Sequence, residues 1–349
     1  YFKKIEVFNT NKLLLMNIFI TGIAGFLGSH LAKFYLNKGN KVFGNDTLDG
    51  GYEDNIPKDA KFYKIPCEDN SKLKQLFKGI DVVIHTAAFA HEGLSIFSPY
   101  TITSNIISGS VSVFSAAISS NVKRIVHCSS MARYGEIKPP FKETDEPKPV
   151  DPYGIAKLAS EKILINLCEV HDVEYNIAIP HNIIGPNQKY DDPFRNVASI
   201  MINLILQNRN PIIYGDGNQK RSFSDVRDCI DCIDSMVTHE DIKSQIINIG
   251  PGEENYITIN RLFEIISNKL QFNKKPEFYP DRTNEVKYPL CSSKKAEKLL
   301  GYKTKYSVEQ SIDTIIQYIK ERGTRKFLYN YDLEIINDKT PETWKNRLF

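Results

Sequence analysis

The chain has 349 residues, more than one compact domain usually needs, and its 41% hydrophobic and 25% charged residues are ordinary for a globular protein with a large core. Its formal net charge is only +3, with Lys and Arg scattered along the chain, which speaks against nucleic acid as a partner. No uninterrupted apolar run reaches the ~18 residues of a membrane span, so no membrane partner is expected either.

Residues 1–15, YFKKIEVFNTNKLLL, read as an N-terminal appendage ahead of the fold, because Met16 stands directly before the first clear strand. MNIFITG is a short apolar run ending in glycine, the mark of a buried strand. FLGSHLAKFYLNKG follows with helical spacing of Leu27, Leu31, Phe34 and Tyr35. KVFGND, KFYKIP and DVVIHTAA read as strands, the last two separated by the helical stretch SKLKQLFKG. IISGSVSVFSAAISS reads as a helix, RIVHCSS as a strand, PYGIAKLASEKILINLCEVH as a long helix and YNIAIP as a strand. Strands alternating with helices predict a parallel sheet covered on both faces, an α/β fold of the Rossmann-type doubly wound kind over residues 16–185.

Past residue 185 the pattern changes. NVASIMINLILQN and DCIDCIDSMVTH read as helices around the short strand and turn PIIYGDG, and TINRLFEIISNKL and SVEQSIDTIIQYIKE as amphipathic helices. Residues 186–322 are expected to form mainly a smaller substrate-binding lobe, interleaved with the first unit. The tail, 323–349, holds the only tryptophan, Trp344, and reads either as a strap or as loosely ordered. Among the six cysteines, Cys229 and Cys232 form a C-x-x-C, but no second pair or His cluster completes a zinc site. Core thiols, no metal and a reducing, cytoplasmic location are the expectation.

Gly22-Ile-Ala-Gly25-Phe-Leu-Gly28 lies between the first strand and the first helix. A phosphate needs close backbone approach and exposed N–H groups at a helix N-terminus, and glycines permit both. This context reads as the pyrophosphate cradle of a nicotinamide dinucleotide. Asp46 ends the second strand, where a carboxylate accepts from ribose hydroxyls and repels a 2′-phosphate, which favours NAD over NADP.

Tyr153 and Lys157 stand one helical turn apart on one face. A phenol holds its proton to about 10 unless a neighbouring cation favours phenolate, the role expected of the Lys157 ammonium. Tyr153 is then placed to remove a hydroxyl proton. Ser129-Ser130-Met131-Ala132-Arg133-Tyr134-Gly135 follows a predicted strand, at whose C-terminal end a serine faces the ligand crevice.

With TGIAGFLG, Asp46, DVVIHTAA, Asn105 with Gly109, SSMARYG, YGIAK, PHNIIGP, GDGNQKRSF and KKAEKLLGY, the chain resembles the extended short-chain dehydrogenase/reductases, in their NAD-dependent nucleotide-sugar epimerase/dehydratase branch, of the UDP-glucose 4-epimerase type. The resemblance runs from Met16 to about residue 320. It implies that Ser130, Tyr153 and Lys157 are catalytic and that Phe26 and Leu27 lie over the pyrophosphate. It puts Asp46 on the adenosine ribose, and Ala87, Asn105, Tyr153 and Lys157 near the nicotinamide half. Asn182, Arg221 and Arg282 would hold the diphosphate of the sugar nucleotide, with Ser130 on the sugar. A homodimer through the helices following Asn105 and Tyr153 is implied as well. Three departures stand out: Pro66-Cys67-Glu68-Asp69 where an Asp–apolar pair usually reads adenine, Ile179 where an Arg is usual, and Arg133 in place of an apolar residue.

Members of this family begin by oxidising the sugar, commonly at C4. Its dehydratases carry Asp-Glu just after the catalytic hydroxyl residue and its decarboxylases a Glu, whereas this chain has Met131-Ala132. That favours epimerisation, through a 4-keto sugar that takes hydride back on its other face. A nucleotide-sugar reductase, dehydrogenase or dehydratase of the same family, and a non-catalytic NAD-sensing protein, are the alternatives. Pro289 occupies the position where related 4-epimerases place a bulky aromatic, which suggests room for an N-acetylhexosamine. A one-residue slip would bring Tyr288 there instead.

Overall fold

The computed structural model describes residues 15–349. Six strands, β1 (Asn17–Thr21), β2 (Lys41–Asn45), β3 (Lys61–Tyr63), β4 (Val82–His85), β5 (Arg124–Cys128) and β6 (Glu174–Pro180), are joined by a seventh, Gln245–Ile249. The sheet runs Gln245–Ile249, β6, β5, β4, β1, β2, β3, and every pairing is parallel. The helices are α1 (Phe26–Asn37), α2 (Asn70–Leu76), α3 (Pro99–Ser119), α4 (Pro152–Val170), α5 (Val197–Leu206), α6 (Val226–Thr238), α7 (Ile259–Leu270), α8 (Lys294–Leu300), α9 (Val308–Arg322) and α10 (Glu342–Lys345).

The strands alternate across the sheet with period two. In β1, Ile18 and Ile20 face one core, with Leu31 and Tyr35 of α1 and Cys229 and Ile233 of α6. Phe19 faces the other, with Phe114 of α3 and Leu164 of α4. Each such side chain contributes about 1.5–3 kcal/mol on burial. Both faces are covered, so the strands read as continuous apolar runs. A third core joins α5, α7 and α9 beyond the sheet.

Four findings differ from, or lie beyond, the reading of the sequence. The seventh strand and α6 come from beyond residue 185 yet complete the sheet and its first core. α3 begins at Pro99, seven residues earlier than expected, because Pro99 supplies the first helical position. Its 21 residues make it, among the described residues, the one helix with the length and composition of a membrane span; serines, threonines and Asn105 break up its apolar run, and half of it is buried in the protein. The tail is a strap. Leu328 N–H donates to the Asp191 carbonyl at 2.8 Å, Glu334 and Ile335 N–H to the Phe97 carbonyl at 2.9 Å, and Trp344 is buried against Phe97 and Phe194. The appendage expected at residues 1–15 lies outside the described residues except for Leu15, which is exposed.

Candidate active site

The strand order reverses between β1 and β4, and the crevice beyond their C-terminal ends is where such sheets bind ligands. Gly22 leaves β1 at φ +73°, a left-handed conformation that glycine adopts without penalty. Its N–H donates to the Asn45 carbonyl at 2.8 Å, and Gly25 N–H returns to the Gly22 carbonyl at 3.0 Å. Gly28 lies so close beneath that a Cβ there would stand 2.2 Å from the Gly22 oxygen. Gly25 caps α1 without a side-chain bond, and no acidic residue occupies the first turn. The amides there remain available to an anion. Asp46 has one carboxylate oxygen on Ala24 N–H at 3.0 Å and the other on Leu48 N–H at 2.7 Å. It therefore staples the glycine turn as well as facing the crevice. Burial pushes its carboxyl above the usual range, against those backbone bonds.

Ser130 follows β5, and its Oγ accepts from Ala132 N–H at 3.2 Å, capping the short turn Met131–Arg133. α4 opens with Asp151 as its cap, accepting from Gly154 N–H at 2.8 Å, and Pro152 at its first position. These fix Tyr153 in the first turn, where its N–H donates to Ser95 Oγ at 3.1 Å. Lys157, one turn later, donates to the Cys128 carbonyl at 3.0 Å and sits 6.0 Å from the Tyr153 ring centre.

Burial pushes the Tyr153 phenol up, the Ser130 hydroxyl opposes this, and the Glu92 and Asp151 carboxyls push it further. Burial brings the Lys157 ammonium down to about 8. Beside its bond to the Cys128 carbonyl, the Lys157 ammonium thus faces the ring of Tyr153, and Ser130 is the leading group that lowers the phenol.

Arg221 and Arg282 come together on one carboxylate oxygen of Glu285, at 2.6 and 2.7 Å. They are not separate solvated charges; Glu285 holds the two guanidinium forks side by side, the arrangement that suits a diphosphate. Asn182, at φ +34°, has its amide 3.4 Å from the Met131 sulfur. Asn105 accepts from Phe89 N–H at 2.9 Å and donates to Glu68 at 3.2 Å. Arg133, the departure noted above, is buried and pairs with buried Glu161 at 3.3 Å, while Glu161 also accepts from Ser129 Oγ.

Gly22, Gly25, Phe26, Leu27, Gly28, Asp46, Ala87, Asn105, Ser130, Tyr153, Lys157, Asn182, Arg221 and Arg282 all line one cavity of about 480 Å³. Pro289 lines it too, whereas Tyr288 is exposed outside it. Of the departures at the adenine end, Cys67 and Glu68 reach the cavity, while Asp69 caps α2 through Lys72 N–H. Ile179 is fully buried in β6. Sequence reasoning missed Glu92, Glu285 and Trp344, which also line the cavity. Glu92 carried one legible signal: it is an acid just past the end of a sheet strand, where ligand-facing residues gather.

The residues fit a nicotinamide dinucleotide. The cradle is one that a Cβ would fill, its helix end lacks a competing acid, and the cavity continues without a break to Tyr153. Comparison with known proteins agrees. The chain is 32% identical over 88% of its length to a "Putative UDP-glucose 4-epimerase" of Methanocaldococcus jannaschii, of which it covers 99%. It superposes on the UDP-glucose 4-epimerase of Thermotoga maritima, solved with UDP-glucose, at a TM-score of 0.81 and 29% identity, covering 88% of this chain and 99% of that one. It superposes similarly on the UDP-glucuronic acid 4-epimerase of Bacillus cereus, in complex with UDP-glucuronic acid and NAD, at 0.82 and 26% identity, covering 88% and 100%. Residues 18–250 match the family described as the NAD dependent epimerase/dehydratase family, and the chain belongs to that family.

Proposed function

We propose that this protein is an NAD-dependent epimerase of a nucleoside diphosphate sugar, a UDP-hexose or UDP-N-acetylhexosamine, inverting C4 through a transient 4-keto sugar. One observation carries the reading. A single cavity joins the glycine turn, the Ser130–Tyr153–Lys157 set and the paired arginines, and Met131 and Ala132 follow the serine.

Gly22, Gly25, Phe26, Leu27 and Gly28 would hold the pyrophosphate of NAD, Asp46 its adenosine ribose, and Ala87, Asn105, Tyr153 and Lys157 its nicotinamide half. NAD bound there supplies the hydride acceptor and donor at the sugar carbon. Tyr153 takes the proton of the C4 hydroxyl and later returns it, and Ser130 hydrogen-bonds the same oxygen. Arg221, Arg282 and Asn182 anchor the diphosphate so that the sugar can turn over while tethered. Neither Met131 nor Ala132 can move a proton, which favours epimerisation over elimination or decarboxylation.

The test is incubation with UDP-, GDP-, CDP- and dTDP-sugars without added NAD, followed by NMR. A C4-inverted sugar with no net NADH is the expected result. One NADH made or consumed per sugar would indicate a reductase or dehydrogenase, and bound NAD without turnover a sensing protein. A homodimer through α3 and α4 belongs to the same proposal, supported by exposed Tyr100 and Ile155 on those helices. So does a cytoplasmic location, supported by six buried free thiols.

A further inference from the structure

We propose that Glu92 determines which sugar this cavity accepts: its carboxylate receives the hydroxyl or amide hydrogens of a neutral sugar and turns away a sugar bearing a carboxylate of its own. This rests on the epimerase reading above and narrows its substrate class.

In that reading the sugar ring lies between the diphosphate at Arg221 and Arg282 and the reacting carbon at Tyr153. The segment Glu92–Ser95 spans that interval. Gly93 packs on Arg282, where an added Cβ would stand 3.3 Å from Nη1. Ser95 Oγ donates to the Glu92 carbonyl at 2.6 Å and accepts from Tyr153 N–H at 3.1 Å. The Ser95 hydroxyl thus ties the Glu92 backbone to that of Tyr153, and Glu92 lines the cavity.

The Glu92 carboxylate makes no hydrogen bond or ion pair among the described residues. The cations that could neutralise it have nearer partners. Arg221 and Arg282 are bound to Glu285. Arg195, which also reaches the cavity, pairs with Asp192 at 3.4 Å, and Asp192 accepts from His91 at 2.8 Å. A second carboxyl, Asp151, lies close by and is raised to about 7 by burial and then by Glu92 itself. Glu92 and Asp151 thus put two carboxyls at the sugar end of the cavity.

An unpartnered carboxylate is a strong acceptor for O–H and N–H donors. Glu92 is exposed on the cavity wall, and a second carboxylate seated beside it meets like-charge repulsion. A uronic acid offers no donor at its carboxylate and adds like charge, which is how a site rejects a near-isostere.

The experiment uses the full chain with the NAD it carries, with UDP-glucose, UDP-N-acetylglucosamine and UDP-glucuronate as substrates for wild type, Glu92→Gln and Glu92→Val. For wild type, kcat/KM for the better neutral sugar should exceed that for the uronate by about 100-fold or more. Glu92→Gln should lower the neutral sugars about tenfold and raise the uronate about tenfold, opposite signs that general damage to the site does not produce. Calorimetric binding of UDP-glucuronate to Tyr153→Phe and to Tyr153→Phe/Glu92→Gln should show the same gain without turnover. Equal wild-type use of the uronate, or a change of one sign for all substrates, overturns the proposal. So does solvent deuterium that enters C3 or C5 in D2O with wild type and not with Glu92→Gln, which would make Glu92 a proton carrier. If the uronate alone is epimerised, this inference fails and the epimerase reading stands; if wild type epimerises no nucleotide sugar, both fail.

Discussion

Gly28→Ala puts a methyl carbon 2.2 Å from the Gly22 carbonyl oxygen, 2.9 Å from its carbonyl carbon and 3.1 Å from Ile23 Cα. All three are main-chain atoms of the glycine turn, so no side-chain rotation relieves the clash. Ordinary contact begins near 3.4 Å, so the oxygen must retreat by 3.4 − 2.2 = 1.2 Å. The Gly22 peptide is held on one side by Asn45 and on the other by Gly25 N–H, so that retreat opens the turn. Alanine gains about 1 kcal/mol of helix propensity over glycine in α1, whereas overpacking of this kind costs about 1–3 kcal/mol, and more when backbone must move. The clash wins. Gly25→Ala is the control, because its Cβ meets only the Gly22 oxygen, at 3.1 Å, and needs a shift of a few tenths of an ångström. Chromatography of NAD released on denaturation, with urea unfolding alongside, reads both effects. Gly28→Ala should lose most of its NAD and shift its urea midpoint down, while Gly25→Ala, whose contact is looser, shifts the midpoint by much less. A Gly28→Ala protein with wild-type NAD content and midpoint would refute the cradle.

Tyr153→Phe should cut kcat by about 10²–10⁴-fold, with NAD retained, and unchanged turnover would remove Tyr153 from the chemistry. The Lys157 ammonium sits at about 8 in the folded chain against an ordinary 10.5, so between these values the unfolded chain holds the extra proton and stability rises with pH. Relative to Lys157→Met, wild type should therefore gain stability from pH 8 to 10, by at most about 3 kcal/mol, in paired urea titrations. Arg133→Met leaves buried Glu161 short of its counter-charge and should cost about 3–5 kcal/mol, while Arg133→Met/Glu161→Met should recover most of it, as thermal unfolding of both would show.

The glycine turn was legible because its requirement is local: one positive φ and two close backbone approaches, all within seven residues. The strands β1–β6 were legible because each is an apolar run bounded by turn residues. QIINI was passed over because a five-residue apolar run without a motif does not distinguish strand from helix, and only its pairing with β6 decides. Arg133 stood out as a departure, but its partner Glu161 lies on α4, four residues past Lys157, and becomes a partner only when α4 packs beside β5. Glu92 is 59 residues from Asp151 in sequence, and only the fold brings the two carboxyls near each other. The strap of the tail depends on Phe97 and Asp191, two places that no local pattern links to Trp344.

The central claim is that hydride leaves the sugar and returns to it within one binding event. UDP-glucose deuterated at C4, incubated with the purified chain and no added NAD, tests this directly by NMR of the product. The account predicts a C4-inverted sugar that keeps its deuterium at C4, with no NADH in solution. Deuterium lost from C4, or NADH accumulating with each sugar converted, would contradict it.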